Sequence, residues 1–112
     1  MIDSKRLHEL RILMGKDYAS LLKQVIKDLE EPLEQLRQAA ALGQAERVVH
    51  SLHALRGVAS NVGCEDLSAM CLEAEATVRA GRLHDACFAA IDAAIVRCRE
   101  VLRHEIAAVP GS

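Results

Sequence analysis

Residues 45–63, which read AERVVHSLHALRGVASNVG, form the most strongly patterned stretch of this chain. Apolar residues recur there in steps of three and four, the spacing of one helical face. They are Ala45, Val48, Leu52, Leu55, Ala59 and Val62. The spacing predicts a helix from about Gln44 to Val62 with one buried face. His53 lies on the outer face, with Arg56 one turn further and Gly57 next to it, which predicts an accessible imidazole beside a cation and open space.

Two helices are predicted before this stretch. The first is short, is capped by Asp3 or Ser4, and ends at Gly15. Its inward positions are Leu7, Leu10 and Leu13. The second runs from about Asp17 to Ala41, and Pro32 within it predicts a kink or a break into two helices. Its inward positions are Tyr18, Leu22, Val25, Leu29, Leu33 and Leu36.

Two further helices are predicted after it. One spans about Glu65 to Ala80 and ends at Gly81. Its inward positions are Leu67, Met70, Cys71, Ala74 and Val78. The last spans about Asp85 to Ala107. Its inward positions are Phe88, Ile91, Ile95, Cys98, Leu102 and Ile106.

Short connections marked by Gly43, Gly63 and Gly81 join the long helices, which favours antiparallel neighbours. No alternating strand pattern competes with the helical spacing. We therefore expect an all-α protein, an antiparallel up-and-down four-helix bundle with a short N-terminal lid helix. Residues 1–108 would form this one domain, and residues 109–112 a disordered tail.

Composition excludes several classes of function. The chain has 112 residues, a formal net charge of −2, and only Tyr18 and Phe88 as aromatic residues. Neither base stacking nor a basic surface therefore points to nucleic acid. No apolar run reaches the roughly 20 residues of a membrane span, and the start lacks a signal peptide pattern, so we expect a cytoplasmic chain without direct membrane insertion. The four cysteines have neither zinc-site spacing nor the density of a secreted scaffold, which predicts free thiols.

The outward histidine segment resembles the signature of the histidine-containing phosphotransfer (HPt) domain family of two-component phosphorelays. The matching positions are His53, Leu55, Arg56, Gly57 and Gly63. The resemblance continues into the next helix, where Leu67, Met70, Cys71 and Glu75 fall at the family's spacing. Leu52 stands where the family usually has Ala, and Ala74 where it usually has Leu. Both departures are apolar and are interpreted as packing variants.

The resemblance implies a stoichiometric phosphoryl carrier, not an enzyme. Its partner would be the receiver domain of a response regulator or of a hybrid histidine kinase, which carries an aspartyl phosphate. The chain could be free-standing or part of a membrane-anchored hybrid kinase. It has no Gly-rich nucleotide loop and no acidic cluster suited to a metal, so we expect Mg²⁺ on the partner and no cofactor here. We expect a monomer.

Three residues are expected to carry the chemistry. A neutral ring nitrogen of His53 can attack phosphorus, and the Arg56 guanidinium can neutralise phosphoryl oxygens. Glu75 lies 22 residues after His53, where the resemblance places a Gln or Glu that reaches the histidine from the neighbouring helix. Accepting a hydrogen bond from Nδ1 would leave Nε2 free as the nucleophile.

Three other residues are expected at the partner surface. Gly57 removes a side chain next to the nucleophile, at a cost of roughly 1 kcal/mol of helix propensity relative to Ala. Ser60 lies on the same face and could hydrogen-bond the phosphoryl group or the partner. Val49, one turn before His53, completes the expected docking surface.

Two alternatives remain open at this point. The bundle could be an interaction module that docks receiver or other signalling domains without carrying phosphate. A structural or metal-binding bundle is a weaker hypothesis. For metal binding, His50 and His53 form an i,i+3 pair without a matching carboxylate or thiolate. The tetrapeptide His8-Glu9-Leu10-Arg11 looks like a sensor kinase phosphoacceptor box, but Ile12-Leu13 replaces the Thr-Pro that follows in that family.

Overall fold

A computed structural model describes residues 2–110 as five α-helices and two short 3₁₀ turns. The helices are α1 Ser4–Met14, α2 Tyr18–Ala41, α3 Ala45–Asn61, α4 Glu65–Arg79 and α5 Phe88–Ala107. The 3₁₀ turns are Gly15–Asp17 and Leu83–Asp85. The described residues contain no strand, only one isolated bridge between Ile2 and Cys64. The predicted all-α fold is confirmed.

The four long helices form a closed bundle, because α3 packs on α2 and α4, and α5 packs on the same two helices. The bundle is elongated, with extents of 47 × 22 × 18 Å. Its core consists of the predicted stripes, and every predicted inward residue of α2 is buried. Ile91, Ile95, Cys98 and Leu102 of α5 are buried too, whereas Phe88 and Ile106 at its ends are only partly buried.

The lid helix α1 lies across one end of α2 and α5. Asp3 caps it by accepting a hydrogen bond from the Lys5 amide at 3.0 Å. The Tyr18 hydroxyl donates to Glu105 Oε1 at 2.9 Å, and Arg11 Nη2 donates to the same oxygen at 3.0 Å. Burial and this carboxylate raise the pKa of Tyr18 to about 12. One shared acceptor thus ties α1 to the start of α2 and the end of α5.

Some sequence predictions are wrong in detail. Leu13 is 77% exposed, because Met14, four residues after Leu10, takes the next inward position of α1. Ala45 is exposed because it lies in the first turn of α3, before that helix meets the core. Helix α5 begins at Phe88 instead of Asp85, since Ala86 is extended, with φ −76° and ψ 136°.

Helix α2 continues through Pro32 without a break. Proline removes one amide hydrogen bond to the carbonyl of Asp28, but Leu29 and Leu33 on either side are buried in the core. Because both leucines pack into the core, the helix keeps the same buried face before and after the proline. The predicted break is therefore wrong, and a kink stays a prediction.

Gly63 connects α3 to α4 in a conformation that only glycine adopts easily. Its φ is +68°, and a Cβ there would lie 2.9 Å from the Arg6 Cβ and 3.1 Å from the Asp3 Cβ. Its carbonyl accepts a hydrogen bond from the Asp3 amide at 2.9 Å. The glycine therefore lets the N-terminal segment pack against the turn that follows the histidine helix. Of the predicted tail, Val109 packs against the core, and Gly111 and Ser112 lie outside the described residues.

Candidate phosphoacceptor site

His53 projects from the outer face of α3. Its side chain is 70% exposed, whereas Leu52 and Leu55 on the inner face are completely buried. The alternation follows from the helical repeat, which turns consecutive residues by about 100°. Burial of the leucines fixes the rotation of α3 and so fixes the direction in which the imidazole points.

Glu75 faces the histidine from α4. Its side chain is only 3% exposed, and its neighbours Ala74 and Val78 are buried apolar residues. A buried carboxylate is unfavourable unless hydrogen bonds and an opposite charge compensate for lost water. Arg56 supplies both, because its Nε donates to Glu75 Oε2 at 2.9 Å.

The same guanidinium reaches the imidazole. Arg56 Nη2 lies 2.9 Å from His53 Nδ1, and Glu75 Oε1 lies 3.6 Å from that nitrogen. The longer distance exceeds that of a hydrogen bond, so the direct bond from Nδ1 to Glu75 is not formed in this structure. Arg56 takes the expected place of Glu75 at Nδ1. The three side chains form one connected group, which we call the His53 triad: His53, Arg56 and Glu75.

Sequence reasoning missed this division of the arginine donors. The sequence predicts that Arg56 neutralises phosphoryl oxygens, and the structure adds that two of its nitrogens already have partners within the chain. Its separation of 19 residues from Glu75 carries no signal by itself, because the two lie on different helices. The sequence of α4 did contain a signal for this pair. Glu75 follows Ala74 directly beside the buried apolar stripe, and a carboxylate in that position requires a cationic partner.

Gly57 leaves an opening beside the triad. A Cβ added there would have no neighbouring atom within 4 Å. Glycine is therefore not needed for packing at this position, and its helical φ does not require it. The space next to His53 is open to an approaching partner.

A shallow groove of about 390 Å³ continues from Arg56 along α3 and α4. The Ser60 hydroxyl donates to the Arg56 carbonyl at 2.9 Å and lies 3.3 Å from the Ser68 hydroxyl. Leu72, which the sequence analysis did not predict as a site residue, also lines this groove and is 53% exposed. An apolar residue one position off the buried stripe of α4 was the available signal for it. Val49 is half-buried against the core, so only part of its side chain is available to a partner.

His50 is the structural counterpart of His53 on the same helix. Its side chain is exposed, but it makes no side-chain hydrogen bond or ion pair with any residue from 2 to 110. It lines a groove with Gln35, Glu31 and Ser51 on the α2 side. Across the described part of the chain, no three His, Cys, Asp or Glu side chains are grouped so that they could hold a metal ion. No helix in residues 2–110 has the length and apolar character needed to cross a membrane.

Comparison with known proteins gives two matches that cover most of the chain. The sequence model of the Hpt domain family matches residues 20–111. The crystal structure of histidine-containing phosphotransfer protein B from Pseudomonas aeruginosa PAO1 superposes with a TM-score of 0.89 at 28% sequence identity. That superposition covers 96% of each chain. A comparison with curated protein sequences found no significant match.

Proposed function

Because the chain belongs to the Hpt domain family, we propose that His53 carries a phosphoryl group to and from the aspartate of a receiver domain. Members of this family are phosphotransfer carriers and not enzymes, and histidine phosphotransfer in a phosphorelay is the activity that both matches support. The receiver would belong to a response regulator or to a hybrid histidine kinase.

One observation carries the choice of His53. The chain has five histidines, all within the described residues, and only His53 adjoins a buried carboxylate, an arginine and an open glycine position. An exposed ring can meet a partner's aspartyl phosphate, and the Arg56 charge lies close enough to stabilise phosphoryl oxygens. His50 has the exposure without these neighbours.

The reaction is an in-line displacement at phosphorus. The Nε2 lone pair forms the new N–P bond while the bond between phosphorus and the receiver aspartate oxygen breaks. The bonding electron pair leaves with the aspartate carboxylate. We assign Mg²⁺ to the receiver, because Glu75, the carboxylate beside His53, is already paired with Arg56 and is not available as an oxygen ligand.

The docking surface would be the outer face of α3 and the neighbouring face of α4. Gly57 gives access to the imidazole, and the groove with Ser60 and Leu72 offers both hydroxyl and apolar contacts. A receiver that covers this face would exclude water from the phosphoryl group and strengthen its interaction with Arg56. We expect the free chain to be a cytoplasmic monomer, which sedimentation and fractionation would test.

Incubation with a phosphorylated receiver tests the proposal directly. We expect acid-labile, alkali-stable phosphate on the wild-type chain and none on His53→Gln, with unchanged helical circular dichroism. The matched variant His50→Gln should be labelled at the wild-type rate. ATP alone should label none of these proteins.

Two results would contradict the assignment. Labelling of His53→Gln at the wild-type rate would move the phosphoacceptor to another histidine, with His50 the first to examine. A wild-type chain that binds the phosphorylated receiver but never takes up phosphate would instead favour an interaction module without phosphotransfer.

A further inference from the structure

We propose that Arg56 determines which ring nitrogen of His53 carries the proton. In the free chain, the contact from Arg56 to Nδ1 keeps the proton on Nε2. Partner docking must draw Arg56 away from Nδ1 before phosphoryl transfer. The inference rests on the proposed function of His53 as the phosphoacceptor at Nε2. It makes Arg56 a positioning residue as well as a source of charge.

The guanidinium of Arg56 can only donate hydrogen bonds, and this determines which ring nitrogen of His53 is protonated. Arginine has N–H donors and no acceptor, so the 2.9 Å contact from Arg56 Nη2 requires Nδ1 to accept. A neutral imidazole has one N–H, which must then be on Nε2. A protonated Nε2 has no lone pair for attack on phosphorus. The resting triad therefore holds His53 in an unreactive tautomer.

Glu75 provides the reactive alternative. Its Oε1 lies 3.6 Å from Nδ1, just beyond hydrogen-bond distance, while its Oε2 is held by Arg56 Nε. If Arg56 Nη2 leaves Nδ1, a small shift lets an Nδ1–H group donate to Oε1. Solvent water takes the proton from Nε2 and returns one to Nδ1, so the charge of the ring does not change.

An incoming phosphoryl group supplies a reason for Arg56 to move. Its oxygens carry more negative charge than a neutral ring nitrogen, and a charge-assisted bond to them is the stronger one. Arg56 Nε can stay on Glu75 as a pivot while Nη2 turns from Nδ1 to a phosphoryl oxygen. One arginine thereby frees the nucleophile only when the phosphoryl group is present.

Two-dimensional ¹⁵N NMR of histidine-labelled protein, at a pH where the ring is neutral, reports the tautomer without any transfer reaction. We expect His53 of the wild-type chain to be mainly the Nε2–H form. In Arg56→Ala we expect the Nδ1–H form to become the majority, because the Glu75 carboxylate then attracts that proton.

If the Arg56→Ala variant does not fold, Arg56→Lys allows the same tautomer measurement. A lysine ammonium can neutralise Glu75, but it lacks the planar fork that reaches both acceptors, so we again expect Nδ1–H. His50, on the same helix and unpaired, should keep one tautomer ratio in all three proteins. A wild-type His53 in the Nδ1–H form, or a folded Arg56→Lys chain with wild-type tautomers, would overturn the proposal. Neither result would affect labelling of His53, which tests the proposed function separately.

Discussion

Two of the arginine–carboxylate pairs between helices lie on opposite sides of the bundle, and they differ in how the arginine uses its donors. Between α2 and α5, Arg37 gives both Nε and Nη2 to Asp92, each at 2.8 Å. Between α3 and α4, Arg56 gives Nε to Glu75 and directs Nη2 to His53. Arg37 therefore uses both of these donors on one carboxylate, whereas Arg56 divides its donors between a carboxylate and the histidine.

The two arginine–carboxylate pairs also differ in how deeply they are buried. The side chains of Arg37 and Asp92 are 50% and 34% exposed, but that of Glu75 is 3% exposed. Water already stabilises the charges of the α2–α5 pair, so the pair adds little to folding. The carboxylate of the α3–α4 pair depends on Arg56. An arginine and a carboxylate therefore form a solvated surface contact on one side of the bundle, and on the other side a buried pair that also contacts the reactive histidine.

A negative charge at Gly57 should have the largest effect, and it tests whether the α3–α4 side is the docking side. We expect Gly57→Glu to weaken receiver binding at least about 100-fold, since bulk and like charge at an interface cost several kcal/mol. Calorimetric titration measures this. Gly57→Ala should weaken binding far less, because it adds only one uncharged methyl group to the open space beside His53.

Ala93→Glu places the same charge on the exposed surface of α5 as a control for Gly57→Glu. We expect it to bind the receiver like the wild type. Equal loss of affinity in both glutamate variants would mean that net charge, and not the α3–α4 face, controls binding.

Removal of each arginine compares the energies of the two pairs. Arg56→Ala should lower the free energy of unfolding by about 2–3 kcal/mol, below the range for a fully buried pair because its side chain is 31% exposed. Arg37→Ala should lower it by less than about 1 kcal/mol. Urea unfolding followed by circular dichroism measures both, and equal losses would remove burial as the distinction.

The smallest expected effect concerns the pH response of the α2–α5 pair. The hydrogen bonds from Arg37 hold the pKa of Asp92 below its usual value. A carboxyl with a lowered pKa stabilises the fold above its unfolded pKa, and that contribution is lost as pH falls through the folded value. In Arg37→Ala we expect the Asp92 pKa to return upward, as measured by carboxyl NMR titration. An unchanged pKa would mean that Arg37 does not interact with Asp92 in solution.

Local periodicity explains why most of the fold could be predicted from the sequence. Buried stripes in α2, α3, α4 and α5 repeat every three or four residues, and helical geometry converts that spacing into a face. Apart from the break predicted at Pro32 in the middle of α2, the errors occur at helix ends, where Leu13, Ala45 and Asp85 have no further turn to fix their direction. The end of a helix depends on caps and on packing against other helices, which a single repeat does not encode.

For the site, the sequence by itself determined that His53 points outward beside Arg56 and an open Gly57, because all three positions follow from the rotation of one helix. Only the tertiary structure decided that Glu75 is buried, that it takes Arg56 Nε, and that Arg56 instead of Glu75 contacts Nδ1. These contacts depend on the relative rotation of α3 and α4 and on side-chain torsions. Differences of less than one ångström there decide which of two side chains completes a hydrogen bond.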